Sequence, residues 1–268
     1  MSESPLVRID QVSLRFGGVN ALADVSFDVA GGSITALIGP NGAGKTSMFN
    51  CISGLYRPTH GSISLDGTEI TRLKPFRRAR MGIARTFQTP ALFGGLTVLG
   101  NLLAARYHHG RTSIVTAMLN LPGATKQEVA DRAVVEETIA LFDLVHLRDA
   151  TVDDLPYGVK KRVELARAVV QEPRLLLLDE PMAGMTVDEK EEMSAYILTT
   201  RESTDAAVLL VEHDMGVVMD LAEHVVVLDF GRKIGDGAPA QVQRDPAVIA
   251  AYLGEDAGGP AGEGKAVG

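Results

Sequence analysis

The spacing of apolar and polar positions divides the chain into regions of different secondary structure. Over residues 6–38, apolar residues alternate with polar ones, a period of two that is typical of half-buried strands. This pattern predicts strands at 6–10, 12–16 and 25–29, separated by glycine turns, and an apolar strand at 34–38. The first part of the chain is therefore expected to form an antiparallel layer that leads into a central strand.

A different spacing begins at about residue 90, where apolar residues recur every three or four positions. This period is typical of helices, and it is clearest in three stretches, 98–107, 113–119 and 126–142. The following segment, 155–171, continues the helical pattern. We therefore expect a helical insertion over about residues 90–171.

Two runs in the second half of the chain are apolar throughout, as expected for parallel strands buried on both faces. They occupy residues 175–178, which are four leucines, and 206–211, with a helical pattern at 187–200 between them. A hairpin is predicted at 225–235, and a last helix starts at Pro246 and continues to Leu253. Residues 255–268 are rich in Gly, Ala and Glu and are predicted to be disordered. The mixture of strands and helices predicts an α/β fold.

Composition narrows the class of protein. The formal charge of −8 argues against nucleic acid as the main partner, because duplex binding normally relies on a cationic surface. The single cysteine, Cys51, excludes an intrachain disulfide framework, and we interpret it as a small buried residue. No stretch has the pattern of a signal peptide or a membrane span. A cytoplasmic protein is expected, with any membrane association made through a partner.

Two basic segments allow more than one interpretation. Residues 72–85 hold six basic and no acidic side chains, which is typical of a solvated helix face or of a positive patch near phosphate or an acidic partner. Lys160, Lys161 and Arg162 lie at the start of the helix predicted at 155–171. Because cations oppose the dipole at a helix N-terminus, this second cluster suggests that an anion binds there.

The strongest candidate for chemistry is the segment GPNGAGKT, residues 39–46. It fits the Gly-x-x-x-x-Gly-Lys-Ser/Thr loop, and it stands between a predicted strand and a predicted helix. In such a loop, backbone N–H groups surround phosphate oxygens, Lys45 reaches the terminal phosphates, and the Thr46 hydroxyl binds Mg²⁺. The alternative is a glycine-rich turn that binds nothing. The context favours a nucleotide-binding protein.

Other candidates follow the predicted buried strands. Asp179 and Glu180 come directly after the leucine strand, where ligands bind in open α/β sheets. Asp179 is placed to hold Mg²⁺, and Glu180 to orient or deprotonate an attacking water. His213 follows the second strand and is either a structural histidine or a contact to the γ-phosphate. Phe16 is either a core residue or a ring for base stacking.

These pieces, in this order, resemble the nucleotide-binding subunit of an ABC transporter over about residues 5–254. The resemblance implies a P-loop NTPase core of the ABC ATPase type, with an antiparallel β subdomain and an inserted α-helical subdomain. It makes Gln88 the Q-loop glutamine and a magnesium contact, Glu180 the catalytic glutamate and His213 the switch histidine. It also implies a set of ATP-binding residues, which are Phe16, Gly39, Pro40, Asn41, Gly42, Ala43, Gly44, Lys45, Thr46, Ser47, Tyr157 and Gly158.

Two motifs depart from the family pattern. The signature LSGGQ is replaced by LPYGV, so that Pro156 stands for the serine and Tyr157 for a glycine. A γ-phosphate contact from this segment would have to come from the Gly158 backbone and the helix N-terminus. The D-loop reads Ala-Gly-Met-Thr at 183–186 in place of Ser-Ala-Leu-Asp, which puts its aspartate contact across the dimer in doubt.

The chain is similar to the branched-chain amino acid uptake subgroup in five features, which are LPYG, RFGG near the start, the long insertion, EHDM and the ending AYLGE. This resemblance implies ATP and Mg²⁺ as cofactors and a head-to-tail ATPase dimer with a second copy or a second ATPase. It further implies membrane permease subunits, a peripheral position on the inner face of the membrane, and no nucleic acid. Three alternatives stay open, namely the ATPase of a urea, amide or lipopolysaccharide transporter, a non-transport ABC ATPase, and a GTPase or kinase. The last lacks support because no Asn-Lys-x-Asp motif occurs.

Overall fold

A computed structural model describes residues 4–106 and 122–256 of the protein. The helix predicted at 113–119 lies outside the described residues. So does the predicted disordered tail except for residues 255 and 256, which are the end of the last helix. The domain limits of 5–254, with a helical insertion over about 90–171, stay a prediction.

The N-terminal half contributes an antiparallel sheet in the order β2-β1-β4-β5. Its strands are β1 Val7–Phe16, β2 Val19–Val29, β4 His60–Leu65 and β5 Thr68–Glu69. The two strands predicted at 6–10 and 12–16 are one strand in the structure. Gln11 interrupts the register with a φ of +48°, so β1 continues through a bulge, and the apolar residues on both sides of it still face inward.

The central sheet has the order β10-β9-β3-β8-β7-β6 and is parallel except for the hairpin β9-β10. Its strands are β3 Ile34–Ile38, β6 Ile83–Arg85, β7 Leu175–Asp179, β8 Ala207–Val211, β9 His224–Asp229 and β10 Arg232–Gly237. Every residue of β3, β7 and β8 is buried, as their apolar sequences predict. Because these three strands are parallel, the segments that follow them meet at one edge of the sheet.

The described helices surround this sheet. They are α1 Lys45–Ser53, α2 Pro75–Arg80, α3 Val98–Arg106, α4 Pro122–Leu141, α5 Tyr157–Val169, α6 Val187–Thr204, α7 Met215–Leu221, α8 Pro239–Val242 and α9 Pro246–Asp256. Helix α6 is longer than the predicted 187–200 and ends at Asp205, which adopts a left-handed φ of +54°. No helix of the described residues is long and apolar enough to cross a membrane.

The two faces of the central sheet bury separate cores. One core joins the antiparallel sheet to α1 through Met48, Phe49 and Ile52. On the opposite face, one core lies under α3, α4, α5 and α6 and includes Phe142 and Val163, and a third core joins α7, α8 and α9 to the sheet. The phosphate loop is thereby fixed on one side of β3, while α5 is packed against the opposite face of the sheet.

The basic segment 72–85 fits neither of its two interpretations fully, because one of its arginines is buried and has a structural role. Arg78 is 1 % exposed and donates hydrogen bonds to the carbonyls of Cys51, Ile52 and Thr71. These three carbonyls belong to the end of a helix and to a turn, which leave such groups without partners in regular secondary structure. Arg78 therefore stabilises the fold at the C-terminal end of α1.

Candidate active site

The phosphate loop connects β3 to α1 in a backbone conformation that only glycine adopts easily. Gly39 has a φ of +145°, and a Cβ added there would lie 2.0 Å from the carbonyl oxygen of Leu228. Gly44 precedes α1 with a φ of +102°, and neither a side-chain cap nor an acidic residue occupies the first turn of this helix. The N–H groups of this first turn are therefore placed to bind an anion.

Lys45 is the buried cation of the loop. Its Nζ donates to the carbonyl oxygens of Gly39 at 2.6 Å and Pro40 at 2.9 Å, and the residue is 6 % exposed. The ammonium thus lies along the inside of the loop, where the phosphates of a nucleotide are expected. A pocket of about 390 Å³ opens beside it, lined by residues 41–47 together with Val19, Asn20, Ala21, Glu180, His213 and Phe230.

Phe16, the predicted stacking ring, does not line this pocket. It is 47 % exposed and contacts Tyr56 edge-on, with ring centroids 5.1 Å apart. Val19 and Phe230, which are 68 % and 84 % exposed, do line the pocket. Sequence reasoning missed both residues because each stands at a turn, where periodicity carries no signal. Base stacking by Phe16 stays a prediction.

Three predicted residues meet at the carboxylate of Glu180. Gln88 Nε2 donates to Glu180 Oε2 at 2.8 Å, and His213 Nε2 lies 2.6 Å from Oε1. Glu180 itself has a left-handed φ of +49°, a conformation that is costly for a non-glycine residue and that often occurs at functional sites. Both carboxylate oxygens therefore have hydrogen-bond partners, and Gln88 and His213 fix the orientation of the carboxylate.

Asp179 makes a buried ion pair that the sequence did not predict. Arg85 Nη2 lies 2.7 Å from Asp179 Oδ2, and the two side chains are 10 % and 7 % exposed. Arg85 also donates to Asn50 Oδ1 at 2.6 Å and to Ser53 Oγ at 3.1 Å. Asp179 is thus held by an arginine that reaches across from β6 to α1.

The oxygen donors near the loop fit Mg²⁺, a hard cation that prefers oxygen ligands. Arg85 engages only Oδ2 of Asp179, which leaves Oδ1 for a metal, and the exposed Thr46 lines the phosphate pocket. In the described part of the chain, no group of three or more His, Cys, Asp or Glu could hold a metal ion. A bound Mg²⁺ would therefore depend on few protein ligands and on nucleotide phosphates, as is usual for this ion.

The signature residues Tyr157 and Gly158 lie at the start of α5, outside the pocket of the phosphate loop. Tyr157 is 45 % exposed, and Gly158 packs so closely against α6 that an added Cβ would lie 2.2 Å from Glu189 Oε1. Neither residue lines the pocket beside the phosphate loop. Within one chain, the structure does not bring Tyr157 and Gly158 to the residues at 39–47.

The basic cluster at the start of α5 has protein partners rather than an evident anion site. Lys160 Nζ donates to the Asp153 carbonyl at 2.8 Å, and Arg162 Nη1 donates to the Tyr196 hydroxyl at 3.1 Å. Lys161 Nζ donates to the backbone carbonyls of Gln88 and Glu180. These acceptors account for the three cations, so the anion inferred from their sequence position is not needed to explain them.

A further buried carboxylate supports the same region. Glu212 is 5 % exposed and accepts hydrogen bonds from the N–H of Met182 at 2.9 Å and of His213 at 3.1 Å. Burial raises the pKa of the Glu212 carboxyl, although these two N–H groups lower it in part. Glu212 thus joins the turn after Glu180 to the histidine that contacts it.

Comparison with known proteins agrees with this geometry. A family model described as "ABC transporter" matches residues 22–183, which include the phosphate loop, Gln88, Asp179 and Glu180. A second model, described as "Branched-chain amino acid ATP-binding cassette transporter", matches residues 232–258. The first model covers more than half of the chain.

Individual relatives match over nearly the whole length. The high-affinity branched-chain amino acid transport ATP-binding protein BraF of Pseudomonas aeruginosa is 38% identical over 251 residues, which are 94% of this chain and 98% of that protein. LivG of Escherichia coli, which has the same description, is 38% identical over 253 residues with the same coverage. The ADP conformation of MJ1267, an ATP-binding cassette of an ABC transporter, has a TM-score of 0.81 at 29% identity and covers 94% of this chain and 99% of that chain.

The predicted ABC ATPase fold is confirmed by this structural likeness, and the predicted relationship by the sequence matches. The chain belongs to the ABC transporter family and is its ATP-binding, ATP-hydrolysing subunit, with relatives named for branched-chain amino acid transport.

Proposed function

We propose that this ATPase powers the uptake of branched-chain amino acids, or of related small solutes, through a membrane permease. Two independent findings support this substrate class. The relatives with 38% identity are named for branched-chain amino acid transport, and the model that matches residues 232–258 is specific to such transporters. Uptake into the cell and a position on the inner face of the membrane follow from that assignment.

The contacts of Glu180 are the main support for the proposed mechanism of ATP hydrolysis. Phosphoryl transfer needs mainly positioning and charge stabilisation, and here the start of α1 and Lys45 would bind the phosphates of ATP. Thr46 and Asp179 would hold Mg²⁺, which neutralises the phosphate charge when bound. Glu180 would accept the proton of the attacking water at its carboxylate. Gln88 and His213, at 2.8 and 2.6 Å from that carboxylate, orient it.

The separation of the signature from the phosphate loop supports a dimer. Because Tyr157 and Gly158 lie away from the pocket of their own chain, they would complete the pocket of a second subunit placed head to tail. The pocket is open as it stands, and His213 at its rim is 45 % exposed. A second ATPase, either another copy or a different chain, would close it and exclude water.

Replacement of the proposed base tests the chemistry. We expect Glu180→Gln to bind ATP as tightly as the wild type and to lose phosphate release, because the amide cannot accept the proton. Lys45→Ala should instead weaken ATP binding. Calorimetry and a phosphate-release assay distinguish these effects. Wild-type turnover of Glu180→Gln would refute the base, and an unchanged dissociation constant of Lys45→Ala would refute the role of the loop.

Transport is tested separately, in proteoliposomes that contain the chain with its co-purifying membrane subunits. The expected result is ATP-dependent accumulation of radiolabelled leucine, and its absence from vesicles made with Glu180→Gln. Accumulation of urea or a short amide in place of leucine would assign the chain to another substrate class. Co-purification with ribosomes and with no multi-span protein would contradict transport itself.

A further inference from the structure

Helix α5 presents a row of three charged side chains to the loop that contains Gln88, of which two are buried and the third, Arg167, is partly buried. The row consists of Lys161, Glu164 and Arg167, which are three residues apart and therefore share one helix face. Glu164 Oε1 accepts from the N–H of Phe87 at 3.1 Å and of Ala91 at 3.3 Å. Arg167 donates to the Ala91 carbonyl. The loop at 87–91 is thus attached to α5 through its backbone.

Lys161 makes the contacts closest to the proposed chemistry. Its Nζ donates to the carbonyl of Gln88 at 2.6 Å and to the carbonyl of Glu180 at 3.2 Å. The side chains of these same two residues meet at 2.8 Å. One ammonium group therefore fixes the backbones of both partners in the hydrogen bond that orients the Glu180 carboxylate.

The backbone of Glu180 needs such support because it is strained. With a φ of +49°, this residue is in a conformation that costs roughly 1–3 kcal/mol and persists only when its surroundings hold it. Its N–H donates to the Val211 carbonyl at 2.9 Å, and its own carbonyl accepts from Ala183 at 3.2 Å as well as from Lys161. Without Lys161, this carbonyl would keep only the weaker contact from a neutral donor.

The burial of Lys161 is itself costly. The residue is 2 % exposed, and within the described chain its ammonium makes no ion pair within 4.0 Å of a carboxylate. Burial lowers the pKa of Lys161, while the fields of Glu164, Glu212 and Glu180 favour the charged form. A methionine of similar length would pack in this space without that cost, so the amine is present for its hydrogen bonds.

We propose that Lys161 is a positioning residue for ATP hydrolysis, which holds the backbones of Gln88 and Glu180 so that the Glu180 carboxylate faces the attacking water. The inference rests on the proposed role of Glu180 as base. It also gives α5 a second function, because the helix that starts with the signature then also contacts Gln88 and Glu180 of its own subunit.

Three variants test this role against the neighbouring lysine. Lys161→Met removes both hydrogen bonds, Lys161→Arg restores a donor, and Lys160→Met is the matched control on the same helix. For Lys161→Met we expect kcat for phosphate release to fall about tenfold or more, while the dissociation constant for ATP changes less than about twofold. Lys161→Arg should recover part of kcat, and Lys160→Met should equal the wild type. Urea unfolding monitored by circular dichroism establishes that each variant is folded.

Wild-type kcat in folded Lys161→Met would overturn the inference. So would a fall in kcat matched by an equal loss of ATP affinity, or an equal fall in Lys160→Met. If Lys161→Met does not fold, Lys161→Gln, which keeps a neutral donor, is judged by the same measurements. Glu180→Gln is measured in parallel, because its retention of turnover would refute the proposed base. An inactive Glu180→Gln beside a fully active Lys161→Met would refute only the role of Lys161.

Discussion

The ion pair between Arg85 and Asp179 permits a prediction that links stability to Mg²⁺. Replacement of Arg85 by methionine leaves the Asp179 carboxylate at 7 % side-chain exposure without its cation. Removal of one partner from a buried pair costs about 3–5 kcal/mol, because the remaining charge is uncompensated. We therefore expect Arg85→Met to lower the free energy of unfolding by about that amount in the absence of metal.

The chain contains a matched control on its surface. Arg174 Nη2 lies 2.9 Å from Asp66 Oδ2, nearly the distance of the buried pair, but these side chains are 50 % and 62 % exposed. Exposed pairs contribute about 0–1 kcal/mol. Arg174→Met should therefore lower the free energy of unfolding by less than about 1 kcal/mol. The difference between the two variants measures the effect of burial at constant chemistry.

Bound Mg²⁺ should restore part of the free energy of unfolding that Arg85→Met loses, and it should have no such extra effect on Arg174→Met. Asp179 is a proposed ligand of Mg²⁺, so a bound cation would supply the positive charge that the arginine provided. Urea unfolding with and without Mg²⁺ and ADP should show a larger stabilisation of Arg85→Met than of the wild type or Arg174→Met. A free-energy deficit that is identical with and without Mg²⁺ would refute the assignment of Asp179 as the metal ligand. A deficit below about 1 kcal/mol would refute the energetic argument.

Three further predictions use other parts of the structure. Cys51 is fully buried, and burial raises the pKa of its thiol from 9.0 to about 12, so Ellman's reagent should react at least about tenfold more slowly with the native than with the urea-unfolded chain. Burial also raises the pKa of Glu164 above 4.5, so the stability that this carboxyl contributes in its protonated form is lost as pH rises through the folded-state pKa. In urea titrations from pH 4.5 to 7, the free energy of unfolding should therefore fall less for Glu164→Gln than for the wild type. Gly39→Ala should prevent folding or ATP binding because its methyl would meet the Leu228 carbonyl, whereas Gly42→Ala, with no atom within 4 Å of its Cβ, should cost only about 1–3 kcal/mol by urea unfolding.

The elements that frame the site were predictable because burial leaves a periodic trace in the sequence. The four leucines of β7 and the apolar run of β8 are buried throughout, as a strand covered on both faces requires. The helix predicted at 126–142 is observed as α4, Pro122–Leu141. The carboxylates after β7 and the histidine after β8 meet because parallel strands end at one edge, a rule that needs no coordinates.

The residues that support the site were not predictable in the same way. Arg85 and Lys161 belong to basic segments whose sequence context indicated solvent or a bound anion, and nothing in the sequence distinguished Glu164 from an exposed charged residue. Their partners include backbone groups 73 and 77 positions away in sequence and, for Arg85, a carboxylate 94 positions away. Only the pairing of β6 with β7 and the packing of α5 against the central sheet bring these groups together.

The placement of α5 also explains how an altered signature is compatible with an intact hydrolytic cluster. The substitutions at Pro156 and Tyr157 occupy the exposed N-terminal end of the helix, which does not line the phosphate pocket of its own chain. Lys161 and Glu164 lie one and two turns further along, on the flank that contacts Gln88. The two functions therefore use neighbouring segments of one helix, which meet where the Lys161 ammonium lies 5.9 Å from the centroid of the Tyr157 ring.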